Sequence, residues 1–419
     1  MQHNQLILFD LAVGGHHGAY LWNFVSDWKR LNVPASLSLV VAPQFVEQHA
    51  EVVDLIRQSA DQSIHLFPIS AEELANIKRQ RSSIARAFAE WDIFCHYATR
   101  LQATQGLLMY FDPFQLPIVF GKRSPCPVSG IYFRPTFHYA EFGNFRPTWK
   151  EAIRQWRQKL LLTLSLRSGQ LNSLFCIDPY AIDAISALSP VKAIHLSDPI
   201  KIDHALIEQD LRSELGIERD RKILLLFGRV SGRKGIHQLL ESIQHLDPAT
   251  CEKICLLIVG EIPASERSGI HAQIETIAPQ TTAQIILDER YVTESEVSAY
   301  FQLADIVLAP YQRHVGMSGI LLQAAAAQKP VLSSNYGLMG RLTEQYELGL
   351  AVQSEDAIAI ARGIDQMLNS SIEDLCKLEK MNELTQLNLA EKFSTALISH
   401  LVPDTVDALS PPAASISVV

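Results

Sequence analysis

The sequence contains few of the features that mark secreted, membrane-spanning or nucleic-acid-binding proteins. It has 6 cysteines in 419 residues, and most lie within apolar segments, as reduced core thiols do. No stretch approaches the roughly 18 apolar residues of a membrane-spanning helix, and no repeat of fixed period is visible. Lysines and arginines number 36 against 45 aspartates and glutamates, which argues against a broadly basic surface for nucleic acid.

A targeting signal and a metal site are also missing from the pattern. No basic stretch precedes the first apolar run, which leads directly into a glycine loop, so we expect no signal peptide and a cytoplasmic location. Cys251 and Cys255 form the only close cysteine pair, and no second ligand pair lies at the spacing of a zinc site. We therefore expect no metal and no other cofactor.

Short β-branched or aromatic runs alternate with longer helical patterns along nearly the whole chain, which is typical of parallel sheets covered by helices. About seven strand candidates precede residue 200 and about six follow it. The sequence therefore predicts an α/β protein with two Rossmann-like domains. The predicted boundaries are 1–199 for the N-terminal domain, 200–385 for the C-terminal domain, 386–402 for a C-terminal helix and 403–419 for a disordered, Pro-rich tail. Long helices are predicted over Ala71–Glu90 and Trp149–Leu166.

A glycine loop follows the first predicted strand, at the end of the sheet where α/β proteins bind ligands. It contains Gly14, Gly15, His16 and His17. Glycines allow a ligand to approach the backbone closely, and histidines supply donors or a group that titrates near neutral pH. The alternative is a tight turn with solvated histidines. The loop lacks G-x-G-x-x-G spacing, so dinucleotide binding has little support.

A second loop, Gly228–Gly235, carries three cations between a predicted strand and a predicted helix. It is not a P-loop, because the residue spacing differs and no Ser or Thr follows the lysine. Arg229, Arg233 and Lys234 would nevertheless lie at the positive end of a helix, where a diphosphate could be bound. A solvated basic turn is the alternative.

A third loop, Tyr311–Gly319, lies in the corresponding place after a later strand. Gly316, Ser318 and Gly319 could present consecutive N–H groups and a hydroxyl to a phosphate. A serine is also common at a helix N-cap for structural reasons alone, so this loop by itself is a weak indication.

Several segments of the C-terminal half resemble the donor domain of family 4 glycosyltransferases of the GT-B fold. The similar segments are Gly228-Arg229, Lys234-Gly235, Asp305–Pro310, Gly316–Ala324 and Lys329–Val331. The resemblance implies two Rossmann-like domains facing each other across a cleft, with a nucleotide-diphosphate sugar bound mainly to the C-terminal one. It further implies that Arg229, Lys234 and the N–H groups of 316–319 contact the diphosphate. Sugar transfer would then retain the anomeric configuration and need no metal.

The sequence departs from that family at the E-x7-E motif. Alignment places Val315 and Gln323 at the two glutamate positions. The Gln323 amide could still bond ribose hydroxyls, but Val315 cannot bind the hydroxyls of the sugar, a task that would fall to His314 or Ser318. The alternative function is therefore a non-catalytic protein that binds a nucleotide sugar or a partner. A sugar-nucleotide epimerase is a third possibility, but no convincing carboxylate pair supports it.

Two residues of the N-terminal half are candidates for catalysis. Family members often carry a functional histidine after the strand that corresponds to Val128–Phe133, which makes His138 the first candidate, with Arg134 nearby for an anionic group. Asp112 follows an earlier strand and could orient an acceptor hydroxyl. The alternatives are a packed loop histidine for His138 and a helix N-cap for Asp112.

The segment Trp149–Leu166 is amphipathic and basic. Such a helix can lie on a membrane surface, but the same pattern is routine in a helix that covers a core or joins two domains, and we favour the second interpretation. Contact with the inner face of a membrane stays open, as does the acceptor, which could be a glycan, a lipid-linked sugar or a small molecule.

Overall fold

The computed structural model describes residues 4–14, 17–58, 63–142, 147–200 and 211–403. The chain forms two compact units. The first, called unit 1, comprises residues 1–138, 147–199 and 390–419, and the second, unit 2, comprises 139–146 and 200–389. After the short segment 139–146, the chain enters unit 2 a second time between Pro199 and Ile200 and returns to unit 1 at Ala390. The sequence patterns did not predict this return.

Unit 1 contains a sheet of seven parallel strands in the order β3-β2-β1-β4-β5-β6-β7. Its strands are β1 (Gln5–Asp10), β2 (Ser36–Val41), β3 (Ile64–Pro68), β4 (Gln105–Leu108), β5 (Val128–Tyr132), β6 (Leu171–Cys176) and β7 (Lys192–His195). Its helices before the crossing are α1 (His17–Arg30), α2 (Pro43–Gln48), α3 (Ala50–Arg57), α4 (Ala71–Arg79), α5 (Ser83–Arg100), α6 (Gln115–Phe120), α7 (Trp149–Leu166) and α8 (Ala181–Ser186).

Unit 2 contains a sheet of six parallel strands in the order β10-β9-β8-β11-β12-β13. Its strands are β8 (Lys222–Phe227), β9 (Ile254–Val259), β10 (Gln284–Asp288), β11 (Ile306–Ala309), β12 (Val331–Ser334) and β13 (Gly349–Val352). Its helices are α9 (Leu211–Glu214), α10 (Ile236–Ile243), α11 (Pro248–Cys251), α12 (Ala264–Ile277), α13 (Glu294–Leu303), α14 (Gly319–Ala326), α15 (Gly337–Gln345), α16 (Ala357–Leu368), α17 (Ile372–Leu375) and α18 (Leu378–Leu387). The last helix of unit 1, α19 (Ala390–Leu401), follows.

The central strands are apolar along their whole length because both of their faces are covered. All six residues of β9 are buried, as expected for a parallel strand that lies inside a layered α/β domain. The six cysteines are buried and none forms a disulfide, in agreement with the expectation of reduced core thiols.

The described residues form seven strands before residue 200 and six after it, in line with the predicted numbers, and the α/β class is confirmed. The single helix predicted over Ala71–Glu90 is wrong, because the chain is extended at Gln80 and a new helix begins after Ser82. The Ser82 hydroxyl caps α5 by accepting the N–H of Ala85 at 3.1 Å. The helix predicted to begin at 386 begins at Ala390, since 386–387 close α18. Residues 404–419 of the predicted tail lie outside the described residues.

Candidate active site

Each sheet has one position where its strand order reverses direction, between β1 and β4 in unit 1 and between β8 and β11 in unit 2. Loops at the carboxyl ends of the two strands diverge there and leave a crevice, which is where open α/β sheets bind ligands. The three loops proposed from the sequence as ligand sites follow β1, β8 and β11. The topology therefore places the basic loop and the Tyr311–Gly319 loop side by side in unit 2.

The basic loop after β8 combines a buried lysine with two exposed arginines. Lys234 is 5% exposed, and its Nζ donates a hydrogen bond to the Phe227 carbonyl. Arg229 and Arg233 are exposed. Gly228 has φ of +93°, and a Cβ there would lie 2.6 Å from the Lys234 Nζ, so glycine is needed for the lysine to occupy this position.

Tyr311 links the two loops of unit 2. The Arg233 guanidinium carbon lies 5.5 Å from the centre of the Tyr311 ring, and the Lys234 Nζ lies 5.1 Å from it. The N–H of Gln312 donates to the Arg233 carbonyl at 2.9 Å, and Arg233 Nη1 lies 3.0 Å from His314 Nδ1. The cations of one loop are thus held against an aromatic ring of the other.

The Tyr311–Gly319 loop runs into the N-terminus of α14. The Gly316 N–H donates to the Tyr139 hydroxyl at 3.1 Å, so in this structure that predicted phosphate donor is engaged by a side chain of unit 2. Ser318 is the N-cap residue and makes no side-chain cap hydrogen bond. A Cβ on Gly319 would meet no heavy atom within 4 Å. The N-terminus of α14 therefore borders open space at the positive end of the helix.

The two positions that align with the family's glutamates are half-buried residues of this same region. Val315 lies in the loop, and Gln323 lies one helical turn after Gly319 on α14. Residues four apart share one face of a helix, so the Gln323 amide lies on the same side of α14 as Gly319.

In unit 1, a histidine and an aspartate lie within hydrogen-bonding distance of each other at the loop after β1. Asp10 ends β1 and is buried, and its Oδ2 lies 2.6 Å from His17 Nδ1 at the start of α1. Burial lowers the pKa of His17, but the hydrogen bond and the charge of Asp10 outweigh it and raise the pKa overall. A Cβ on Gly14 would meet open space. Gly15 and His16, also predicted here, lie outside the described residues.

The charge of Asp10 also acts on a glutamate of α5. Burial and, to a smaller extent, the charge of Asp10 raise the pKa of Glu90 to about 7, with Arg86 opposing the shift. Ionisable groups with shifted pKa values often lie at functional sites. Neither Asp10 nor Glu90 was predicted from the sequence as a site residue. Asp10 could have been, because it lies at a strand end beside the glycine loop. No local sequence pattern indicates Glu90.

Asp112 joins the ends of two neighbouring strands. Its carboxylate oxygens accept the N–H groups of Phe133 and Arg134, each at 3.0 Å. Burial raises the pKa of Asp112 to about 6, against the lowering effect of these hydrogen bonds and of the Arg134 charge. Asp112 is the first residue of a short 3-10 turn rather than its N-cap, which is Phe111. The role predicted for Asp112 toward an acceptor stays a prediction.

His138 is buried in unit 1. Its Nε2 lies 3.0 Å from Oδ2 of Asp178, and both side chains are fully inaccessible to solvent. Asp178 follows β6, and its Oδ1 accepts the N–H of Tyr180 at 3.0 Å. The surroundings of His138 therefore match the packed loop histidine that was the alternative to a role in catalysis, and its catalytic role stays a prediction.

No group of three or more His, Cys, Asp or Glu side chains in the described part of the chain could hold a metal ion. None of the helices described is both long enough and apolar enough to cross a membrane.

The comparisons with known proteins agree with this arrangement. Residues 207–385, which contain both loops of unit 2, match the family described as Glycosyl transferases group 1. Lipopolysaccharide 1,2-N-acetylglucosaminetransferase of Salmonella typhimurium is 26% identical over 194 residues, which cover 44% of this chain and 50% of that protein. D-inositol 3-phosphate glycosyltransferase of Frankia alni is 22% identical over 214 residues, or 50% of each chain. The chain spans about half the length of these curated relatives.

Solved structures resemble the whole chain. Sucrose-phosphate synthase from Thermosynechococcus elongatus aligns with a TM-score of 0.67 at 16% identity, covering 97% of this chain and 100% of that one. Anabaena HepE in complex with UDP-glucose aligns with a TM-score of 0.60 at 12% identity, covering 97% and 99%. Residues 207–385 are therefore similar to the group 1 glycosyl transferases, and the chain has the two-domain α/β fold of the GT-B type.

Proposed function

We propose that the protein is a glycosyltransferase that takes a sugar from a nucleotide-diphosphate donor bound to unit 2. The observation that carries this proposal is that the basic loop with Arg229, Arg233 and Lys234 packs, through Arg233 and Lys234, against the loop that leads into α14, where the strand order reverses. A diphosphate needs positive charge and N–H donors at one place, and this position supplies both. The net charge of −9 for the whole chain makes the local cation cluster more notable.

The same groups would act in the transfer step. When the bond between the sugar and the diphosphate breaks, negative charge develops on the leaving phosphate, and fixed positive groups stabilise it without needing to reorganise. Side chains and a helix end can do this without a metal ion, so we propose metal-independent transfer. Retention of the anomeric configuration is part of the proposal and is supported by the family resemblance alone.

The donor is supported by one structural neighbour, which was solved with UDP-glucose bound. The names of the two curated relatives differ in the compound they mention: one names a lipopolysaccharide and the other names inositol 3-phosphate. We therefore propose a sugar nucleotide as the donor and a hydroxyl-bearing molecule as the acceptor.

Calorimetric titration with UDP, GDP and ADP tests the donor site. Arg229→Ala and Arg233→Ala remove exposed cations, so we expect each to weaken binding of the preferred nucleotide at least about tenfold with little change in thermal stability. Arg219→Ala removes an exposed arginine elsewhere in unit 2 and serves as the matched control. Unchanged affinity in both loop variants would show that the diphosphate binds elsewhere. Lys234→Ala is a poorer test, because this buried lysine also bonds the Phe227 carbonyl.

A second candidate function is binding of a nucleotide sugar without transfer. Val315 and Gln323, at the positions of the family's two glutamates, are the observation that favours it. A panel of UDP-, GDP- and ADP-sugars with several acceptors separates the two functions. Release of nucleoside diphosphate supports the transferase, whereas tight binding with no turnover across the panel supports the binding protein. V315E/Q323E is a useful companion variant, because gain of turnover in it would show what the natural residues lack.

A further inference from the structure

Helix α7 presents an apolar stripe to solvent. Trp149 is 70% exposed and Trp156 is 66% exposed, and the other large apolar residues of the stripe are 39–57% exposed. The members of the stripe are Trp149, Ile153, Trp156, Leu160 and Leu164. Their spacing of three and four residues confines them to an arc of about 80° on the helix. The helix does cover the core of unit 1, as the favoured interpretation of the sequence expects, but it does so through Leu162 and Leu166 and leaves this stripe to solvent.

The opposite side of α7 fixes the helix to unit 1. Glu151, Gln155 and Leu162 are buried there. Gln158 accepts hydrogen bonds from the N–H and the hydroxyl of Thr136 at 2.8 and 2.9 Å and donates to the Arg134 carbonyl at 2.7 Å. A capping box of Thr148 and Glu151 sets the first residue of the helix at Trp149. The stripe is therefore held outward by a helix whose other side is tied down.

Positive charge surrounds the stripe. The exposed cations of α7 are Lys150, Arg154, Arg157 and Lys159. The helix has one acidic residue, Glu151, which is buried and engaged in the capping box. Its solvent-facing surface is thus apolar and basic, on a chain whose net charge is −9.

We propose that α7 docks the protein on the surface of an anionic phospholipid bilayer. Tryptophan suits the boundary between headgroups and acyl chains, because its ring is apolar and its N–H is polar. Flanking lysines and arginines add attraction to anionic headgroups. The apolar side chains enter the boundary while the helix axis lies parallel to the membrane.

Sedimentation with vesicles tests the proposal on the full chain. Vesicles of phosphatidylcholine alone are compared with vesicles that also contain phosphatidylglycerol. We expect binding to the anionic vesicles, with a blue shift of tryptophan emission, and weaker binding in 1 M salt, where the Debye length is only about 3 Å. W149A/W156A should lower vesicle affinity at least about tenfold, and K150E/R157E should lower it for anionic vesicles. Both pairs are exposed, so the melting temperature should be unchanged.

Tyr291→Ala is the matched control, because Tyr291 is 69% exposed and belongs to unit 2. It should bind vesicles as the natural protein does. The α7 variants should keep their nucleotide affinity, since the cations proposed to bind the donor belong to unit 2, so docking and donor binding can fail separately. The proposal is overturned if the anionic vesicles bind none of the protein, or if W149A/W156A binds them normally. Self-association that W149A/W156A abolishes, with no vesicle binding, would instead assign the stripe to a second copy of the chain.

Discussion

The pairing of His17 with Asp10 should make the stability of unit 1 depend on pH. The pKa of His17 is raised in the folded state, so the pair contributes fully below the unfolded value of about 6.5 and loses its contribution as pH rises through the higher folded value. We expect His17→Gln to reduce the free energy of unfolding more at pH 6 than at pH 9. Urea unfolding at both pH values measures the difference.

His65→Gln is the control for this measurement, because His65 is an exposed histidine on β3. It should change the free energy of unfolding little at either pH. An equal loss at pH 6 and pH 9 for His17→Gln would mean that the pair contributes nothing through the charge of the ring.

Substitutions in the buried pair of His138 and Asp178 can distinguish a structural role of His138 from a catalytic one. Removing one partner takes away a polar contact of the other inside the core, and such a loss costs about 1 to 3 kcal/mol for a buried polar group. We expect His138→Ala and Asp178→Asn each to lower the free energy of unfolding clearly, because both side chains are inaccessible to solvent. Urea unfolding measures this, and the activity per folded molecule is measured in parallel. Full stability together with lost activity in His138→Ala would favour the catalytic role.

At the scale of elements, two glycines at the starts of helices should respond differently to alanine. Gly235 precedes α10 with φ of +78°, and a Cβ there would collide with the Pro310 carbonyl oxygen. Gly319 opens α14, and a Cβ there would meet open space. We expect Gly235→Ala to cost at least about 1 to 3 kcal/mol of stability. Gly319→Ala should keep its melting temperature but bind nucleoside diphosphate more weakly, because the added methyl intrudes where the phosphate is proposed to bind.

Thermal unfolding and calorimetry on the two variants check this prediction. Each glycine serves as the control for the other, since both substitutions add one methyl group at a helix start in unit 2. If Gly319→Ala binds nucleoside diphosphate with the natural affinity, the phosphate does not approach the N-terminus of α14 closely.

Short sequence patterns were sufficient to predict those helices and strands whose ends are set by neighbouring residues. At the start of α13, the capping-box spacing of Thr293 and Glu296 is visible in the sequence alone, and the Thr293 N–H donates to Glu296 Oε2 at 2.9 Å. The strands of unit 2 are apolar runs bounded by turn residues, which is the pattern that predicted about six strands after residue 200. The break between α4 and α5 was missed, because a serine inside a helical pattern reads as solvent-facing unless its capping hydrogen bond is known.

The candidate site was predictable only in part, because its remaining features come from residues far apart in sequence. Arg233 and Tyr311 meet because β8 and β11 are neighbours, although 78 residues separate them. Asp178 meets His138 in the same way through neighbouring β5 and β6. The exposure of the α7 stripe was also beyond the sequence, since an amphipathic pattern does not say which of its two sides packs.

At the scale of the whole molecule, unit 1 is built from both ends of the described chain. Helix α19 packs against α1, with Phe393 buried and its ring centre 5.0 Å from that of Tyr20. The Tyr20 hydroxyl also donates to Asp198 Oδ1 at 2.5 Å, just before the chain leaves the unit. The chain segments at the last two crossings between the units are hydrogen-bonded to each other, since the Ile200 N–H donates to the Asn388 carbonyl at 2.9 Å.

A fragment of residues 1–199 should therefore be less stable than unit 1 in the full chain. It lacks Phe393, Leu397 and Ile398, which are fully buried, and their absence would expose the apolar side of α1. We expect the fragment to melt at a lower temperature or to aggregate. A variant in which a flexible linker joins residue 199 to residues 390–403 should recover stability. If the fragment alone melts like the full chain, α19 is dispensable for unit 1.

The late return of the chain also sets the order of events during synthesis. About 190 residues lie between the departure at Pro199 and the return at Ala390, and a ribosome needs roughly 10 to 40 s to add them at about 5 to 20 residues per second. Throughout that interval the surface of α1 that receives α19 is without its partner, while the sheet of unit 2 can already form. The half of the protein that emerges first is thus completed after the sheet of unit 2, and the nascent chain exposes an apolar surface to chaperones until helix α19 leaves the exit tunnel.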